Sequence, residues 1–165
     1  PHAVSSSGGK LYFDDAQEWP DTFFATWEYP LALLTYEMRI WSPHTIEGEQ
    51  EGAAIYGDNG CVIIGNRDWR AYGPKGEKLP VGGNQRDDDP LHKLDWLKAI
   101  RNNSTPRCDV AIGHVSSSII HMGNASWRVN RKLQFDAAAQ RFVNDEEANR
   151  HLTRTYRVPW KLPEV

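Results

Sequence analysis

TFFATWEYPLALLTYEMRIW, residues 22–41, decides the fold. Its first eight residues alternate, so that Phe23, Ala25, Trp27 and Tyr29 fall on one side of an extended chain and Phe24, Thr26 and Glu28 on the other. Pro30 has no N–H to give to a ladder and ends the run. The alternation then resumes, with Leu34, Tyr36, Met38 and Ile40 on one face and Thr35, Glu37, Arg39 and Trp41 on the opposite one. Two amphipathic strands this close in sequence predict an antiparallel pair.

Downstream, SPHTIEGEQEG is polar, acidic and glycine-bearing and reads as a loop. AAIY, GDNG and CVIIG then form a hairpin signal, followed by a short strand, DWRAY. GPKGEKLPVGGNQRDDD is glycine, proline and charge, and reads as an exposed connection without regular structure. From Asp89 the pattern becomes helical: Asp89 suits the N-cap, Pro90 the first helical position, and Leu91, Leu94, Leu97 and Ile100 recur at helical spacing until NNSTP. Asp109 suits the cap of a second, longest helix, whose stripe runs Val115, Ile119, Met122, Ser126, Val129, Leu133. FDAAAQRF reads as a turn or short strand pair. Residues 145–154 form a short helix, acidic first and basic last as the helix dipole favours, and TYRVPWKLPEV is an extended tail.

Strands precede helices, with none of the βαβ alternation of a parallel nucleotide-binding sheet. The expectation is therefore one α+β domain over residues 1–165: a predominantly antiparallel open sheet with helices packed on one face. The other face mixes Phe24 and Trp41 with Thr26, Glu28, Thr35, Glu37 and Arg39, a composition suited to homo-oligomerisation.

Composition narrows the partners. At 165 residues and 18.8 kDa the chain can bury roughly 70% of its unfolded surface, and 7 Trp, 6 Tyr and 5 Phe supply large rings for a core. The net charge is −3, and Lys and Arg are scattered, which argues against nucleic acid. No run approaches the ~20 apolar residues of a membrane span, and PHAVSSSGGK lacks the basic-then-apolar order of a targeting segment; nothing directs export. Cys61 and Cys108 form no C-x-x-C and have no histidine spacing for zinc. An opening at Pro1 without methionine suggests a processed or excised piece of a longer protein.

The chemistry-bearing residues concentrate in DVAIGHVSSSIIH, residues 109–121. His114 and His121 are seven apart, about 20° short of two helical turns, so they share a face but stand too far apart for one metal. Asp109, His114 and Ser116 to Ser118 have the residue types of a hydrolytic triad, but neighbours on a helix lack the nucleophile elbow and the oxyanion hole. His114, in the first turn after Gly113, can contact a substrate hydroxyl or anion; the competing reading is a structural hydrogen bond. His121, Asn124 and the serines read as mid-helix packing and polar contacts. His44, in the acidic loop, could reach a cleft.

Taken together, GGK (8–10), PDTFFATWEYP (20–30), LTYEMRIW (34–41), AAIYGDNGCVII (53–64), DVAIGH (109–114), HMGNASWRVNRKLQFD (121–136), RFVNDEEAN (141–149) and YRVPW (156–160) resemble the C-terminal domain of the glucose-fructose oxidoreductase, inositol dehydrogenase and rhizopine-catabolism (Gfo/Idh/MocA) family, in its bacterial-type subgroup. The resemblance implies a parent protein that moves hydride between NAD or NADP, held by its own N-terminal Rossmann domain, and a hydroxyl-bearing carbon of a sugar or polyol. This chain has no G-x-G-x-x-G after a strand. Glu77, Lys78, Leu79 and Pro80 only imitate the family's Glu-Lys-Pro motif, and the family's own polar pair would precede the chain. What the resemblance leaves here is no cofactor site, no metal and no catalytic residue, but substrate shaping by His114, with His44, Trp41 and Arg39 as further candidates near strand ends. A stand-alone ligand-binding or interaction domain is the competing class.

Overall fold

The computed structural model describes residues 1–84 and 89–161, arranged as two compact units: Pro1–Trp41 with Val110–Val165, and Ser42–Asp109. The first contains β1 (Ala3–Gly9), β2 (Thr22–Tyr29), β3 (Ala32–Arg39), α2 (Val110–Val129), β8 (Leu133–Asp136), β9 (Arg141–Phe142), α3 (Glu146–Asn149) and a 3₁₀ turn (Arg150–Leu152). The second contains β4 (Gly52–Gly57), β5 (Gly60–Gly65), β6 (Asp68–Tyr72), β7 (Lys78–Asn84) and α1 (Asp89–Asn102). The antiparallel α+β expectation holds, with the strands divided between two sheets, ordered β3-β2-β1-β8-β9 and β4-β5-β6-β7.

In the first unit the predicted pair forms as read: Phe23 faces Met38, Ala25 faces Tyr36 and Trp27 faces Leu34. This face makes the core. Phe23, Ala25 and Trp27 pack with Val4, Leu133, Phe142 and Ala148 against Met122 and Ala125 of α2. Burying these groups drives the assembly. Helix and sheet meet most closely at Gly123, where an added Cβ would lie 3.0 Å from Trp27 and 3.6 Å from the Ala25 methyl. Two side chains fix the contact. Ser6 Oγ donates to Gly123 O at 2.9 Å, and Trp27 Nε1 to Ile119 O at 2.9 Å. On the opposite face, Phe24 is 43% exposed, and Ser5 and Thr26 share a 2.7 Å hydroxyl hydrogen bond.

β1 was not expected. It is the strand between β2 and β8, made mostly of Ser and Gly, and such residues give no apolar alternation. Its register follows from backbone fit. At Gly8, φ is +146° and a Cβ would fall 2.2 Å from Thr22 O, so only glycine permits the close approach of β1 to β2.

The stripe read through Leu133 as one helix also needs correction. Asn130 adopts a left-handed φ of 53°, Arg131 N–H donates to Ser126 O at 3.3 Å, and Asn130 N–H to Trp127 O at 3.2 Å. These are the two bonds of a Schellman stop, and they send Leu133 into β8. The stop is reinforced by fully buried Ser126, whose hydroxyl donates to Arg131 O at 2.8 Å. Ser126→Ala is expected to lower the unfolding free energy by about 1 kcal/mol in urea titration; a change below about 0.3 kcal/mol would remove the hydroxyl from this account. The stripe packs only from Ile119 onward, and Val115 is 61% exposed.

β9 is closed by an amide: Phe142 N–H donates to Asn149 Oδ1 at 2.8 Å, and Asn149 Nδ2 to Phe142 O at 3.0 Å. Asp145 caps α3 by accepting from Ala148 N–H at 3.0 Å. Arg131 grips the same carboxylate through Nε (3.0 Å) and Nη2 (2.8 Å) and reaches Glu147 at 2.7 Å. The guanidinium holds the Asp145 carboxyl below the usual range, and the two carboxylates raise Arg131 in turn.

In the second unit β4 to β7 form an antiparallel meander. The GDNG turn joins β4 and β5 as predicted, with Gly60 at φ +127°. The segment expected to be an irregular connection instead supplies β7. Pro80 is tolerated there because β7 is an edge strand, and Gly82 and Gly83 lie under Trp69, where a Cβ at Gly83 would meet Nε1 at 2.8 Å. α1 ends where NNSTP predicted: Asn103 has φ 48°, and Ser104 N–H donates to Ala99 O at 3.0 Å. Its stripe of Leu91, Leu94, Leu97 and Ile100 is exposed. The Asp89 cap depends on a side chain outside the described residues. Among the described residues no helix is long and apolar enough to cross a membrane.

Candidate functional site

In the first unit a groove of about 880 Å³ runs along α2. One helix face contributes His114, Ser118, His121, Ala125 and Arg128, spaced by alternating steps of four and three. The C-terminal segment supplies the facing groups His151, Thr153, Arg154 and Tyr156, and Phe135 and Gln140 come from the β8–β9 hairpin. Rings and hydroxyl, amide and imidazole groups thus line one cleft, as small polar ligands require.

The sequence builds this locally. Asp136 accepts from the N–H groups of Ala138 (2.9 Å) and Ala139 (3.0 Å), which curls the hairpin turn, and Gln140 closes it at φ 51°. Gln140 Oε1 then lies 3.3 Å from His114 Nε2. Since the amide oxygen only accepts, the imidazole donates there, which leaves Nδ1 as its second polar atom. At the far end of the groove the Arg128 guanidinium carbon sits 4.5 Å from the Trp19 ring centroid, a cation–π pairing that orients the guanidinium.

Of the four residues singled out in the sequence, the structure puts His114 on this groove. Arg39 pairs with Glu37 (Nε to Oε1, 2.6 Å), and Trp41 stacks on Tyr12 with centroids 5.0 Å apart while its Nε1 donates to Thr22 Oγ1 at 2.9 Å. Neither lines the groove. His44 is an exposed loop residue of the second unit, its N–H donating to Ser42 Oγ at 3.3 Å. His121, read as packing, is exposed and faces the groove. Ser116 Oγ donates to Ile112 O at 2.9 Å and Ser118 Oγ to His114 O at 2.8 Å, so both hydroxyls are tied to their own helix rather than poised as nucleophiles. Gln140, His151, Arg154 and Tyr156 were not foreseen on the groove, because they come from a hairpin turn, from the segment read as a short helix over residues 145–154 and from the tail beyond it, none of which a spacing rule links to α2.

The second unit has a shallower depression of about 600 Å³ beside Tyr56, Cys61 and Tyr72. Its one guanidinium, Arg70, is bound 2.5 Å from Glu49 Oε1 and also donates to Glu47 O, and the Glu49 hydrogen bond raises its pKa. With that cation already engaged, the groove along α2 is the stronger candidate.

No curated protein and no solved structure matches the chain. The family model described as "Oxidoreductase family, C-terminal alpha/beta domain" matches residues 47–162, which take in the hairpin meander, both long helices and the β8–β9 wall of the groove. The chain therefore belongs to the Gfo/Idh/MocA oxidoreductase family, as its C-terminal α/β domain.

Proposed function

We propose that this domain shapes the substrate side of an NAD(P)-dependent oxidoreductase acting on a sugar, polyol or related hydroxyl compound, and that it carries the contacts for homo-oligomerisation. The observation that carries the reading is the groove along α2 in a chain of this family, with His114 held by Gln140 and aimed among hydroxyl and amide groups. His114 and Gln140 would hold and orient substrate hydroxyls, and the surrounding rings would exclude water from one side of the sugar. The open sheet face around Phe24 is the surface assigned to oligomer contacts.

The described residues do not fit a dinucleotide. The strands pair antiparallel, and Gly82 and Gly83, ahead of α1, are closed over by Trp69. The nicotinamide is accordingly assigned to the N-terminal Rossmann domain, and no step of hydride transfer is routed through these residues.

Titration of ¹⁵N-labelled chain with a panel of hexoses and cyclitols tests the reading. Shifts should concentrate at residues 114–128 and 135–156, and His114→Ala should weaken binding about tenfold. Shifts confined to the second unit, or a His114→Ala variant that binds as the parent does, would overturn it.

A further inference from the structure

The groove has a charge bias that the chain as a whole lacks. Acidic residues number 22 in 165 and outnumber Lys and Arg, so a lining of this size would ordinarily include about three carboxylates. Its described residues include none, while Arg128 and Arg154 both line it. Among the described residues neither arginine is paired to a carboxylate, a state shared with other exposed arginines such as Arg67 and Arg157; what sets these two apart is their place on the groove. Asp136, which stands between the lining residues Phe135 and Ala137, is not part of the lining, and its Oδ1 accepts from the N–H groups of Ala138 and Ala139.

Resting on the substrate-side reading above, we propose that the groove is built for an anionic polyhydroxy ligand, a sugar acid or sugar phosphate, whose charged group is received by Arg128 and Arg154 while its hydroxyls meet His114 and Gln140. A guanidinium presents several N–H donors in a plane that matches the oxygens of a carboxylate or phosphate. The Trp19 ring stiffens Arg128 from one side, which lowers the cost of ordering that side chain on binding. A neutral sugar would leave two guanidinium groups beside it without a counter-charge, and selectivity follows from that difference.

Calorimetry on the intact 165-residue chain with D-glucose, D-glucuronate and D-glucose 6-phosphate tests the proposal, the last two separating carboxylate from phosphate. At least one of the anions is expected to bind tenfold or more tighter than glucose, and that preference should disappear in Arg128→Gln/Arg154→Gln. Circular dichroism of the variant checks that it is folded, and Arg67→Gln/Arg157→Gln, at two exposed arginines outside the groove, serves as a charge-matched control that retains the preference. Glucose binding as tightly as both anions would overturn the charge assignment and leave the substrate groove standing. Binding of none of the three would overturn both. An anion preference that survives the double variant would place the anion elsewhere and defeat the assignment to these arginines.

Discussion

Replacing Asp21 with alanine is expected to lower the melting temperature by on the order of 10 °C at neutral pH. Asp21 is 1% exposed and carries a carboxylate into the end of the first unit's sheet. Its oxygens accept from the N–H groups of Leu11 (3.0 and 3.1 Å), Tyr12 (2.9 Å) and Phe13 (2.9 Å), and from Thr22 Oγ1 at 2.8 Å. Its own backbone joins strands too: its N–H donates to Gly9 O at 3.2 Å and its carbonyl accepts from Ile40 N–H at 3.1 Å. Truncation leaves three backbone donors without an acceptor and releases the segment that stacks Tyr12 on Trp41. Burial alone would raise the carboxyl pKa; the N–H groups of Phe13, Leu11 and Tyr12 and the Thr22 hydroxyl outweigh it and hold the group well below the usual carboxylate range. Because the folded pKa is depressed, this stabilisation is complete above the unfolded value of about 4 and is lost as pH falls below it toward the folded pKa. Thermal unfolding of parent and variant followed from pH 7 to pH 2 should show the gap between them shrinking below about pH 4. A variant that melts within about 2 °C of the parent at pH 7 would refute the role given to this carboxylate.

Trp27→Ala should cost about 3–5 kcal/mol of unfolding free energy. The indole is 3% exposed and lies between β2 and α2, where it packs against Gly123. The loss combines removed contacts with the void they leave, together with the Nε1 bond to Ile119 O. Trp27→Phe keeps part of the ring but not the donor, and should fall between alanine and the parent. Ile119 lies one turn beyond Val115 on the helix that supplies His114, so the alanine variant should also loosen the groove, read as weaker polyol binding at a temperature where it is still folded. Chemical denaturation giving a loss under about 1 kcal/mol would show that the helix is held to the sheet by other means.

How far the sequence could be read depended on what each residue contributes. Phe23, Ala25 and Trp27 could be placed because a half-buried strand needs alternation, and their partners on β3 followed in register. β1 could not, because Ser5 and Ser6 act through hydroxyl hydrogen bonds and Gly8 through close backbone approach, and neither leaves a hydrophobic period. β7 was hidden by Pro80 and two glycines, which read as loop unless the strand is known to be an edge. α2 was read too long because Leu133 continued its stripe, while the stop lay in one asparagine able to adopt a left-handed conformation. For the site, His114 was visible from its place after Gly113. Its partner Gln140 is 26 residues away, and Arg154 is 40, distances at which only the fold brings groups together.

The amide of Asn149 has a consequence for how this sheet can be extended. By occupying both the N–H and the carbonyl of Phe142, it caps the ladder at the β9 margin, so an incoming peptide finds no free backbone template there. Recruitment of an additional strand is thereby biased to the β3 margin, and the sheet can lengthen in one direction only.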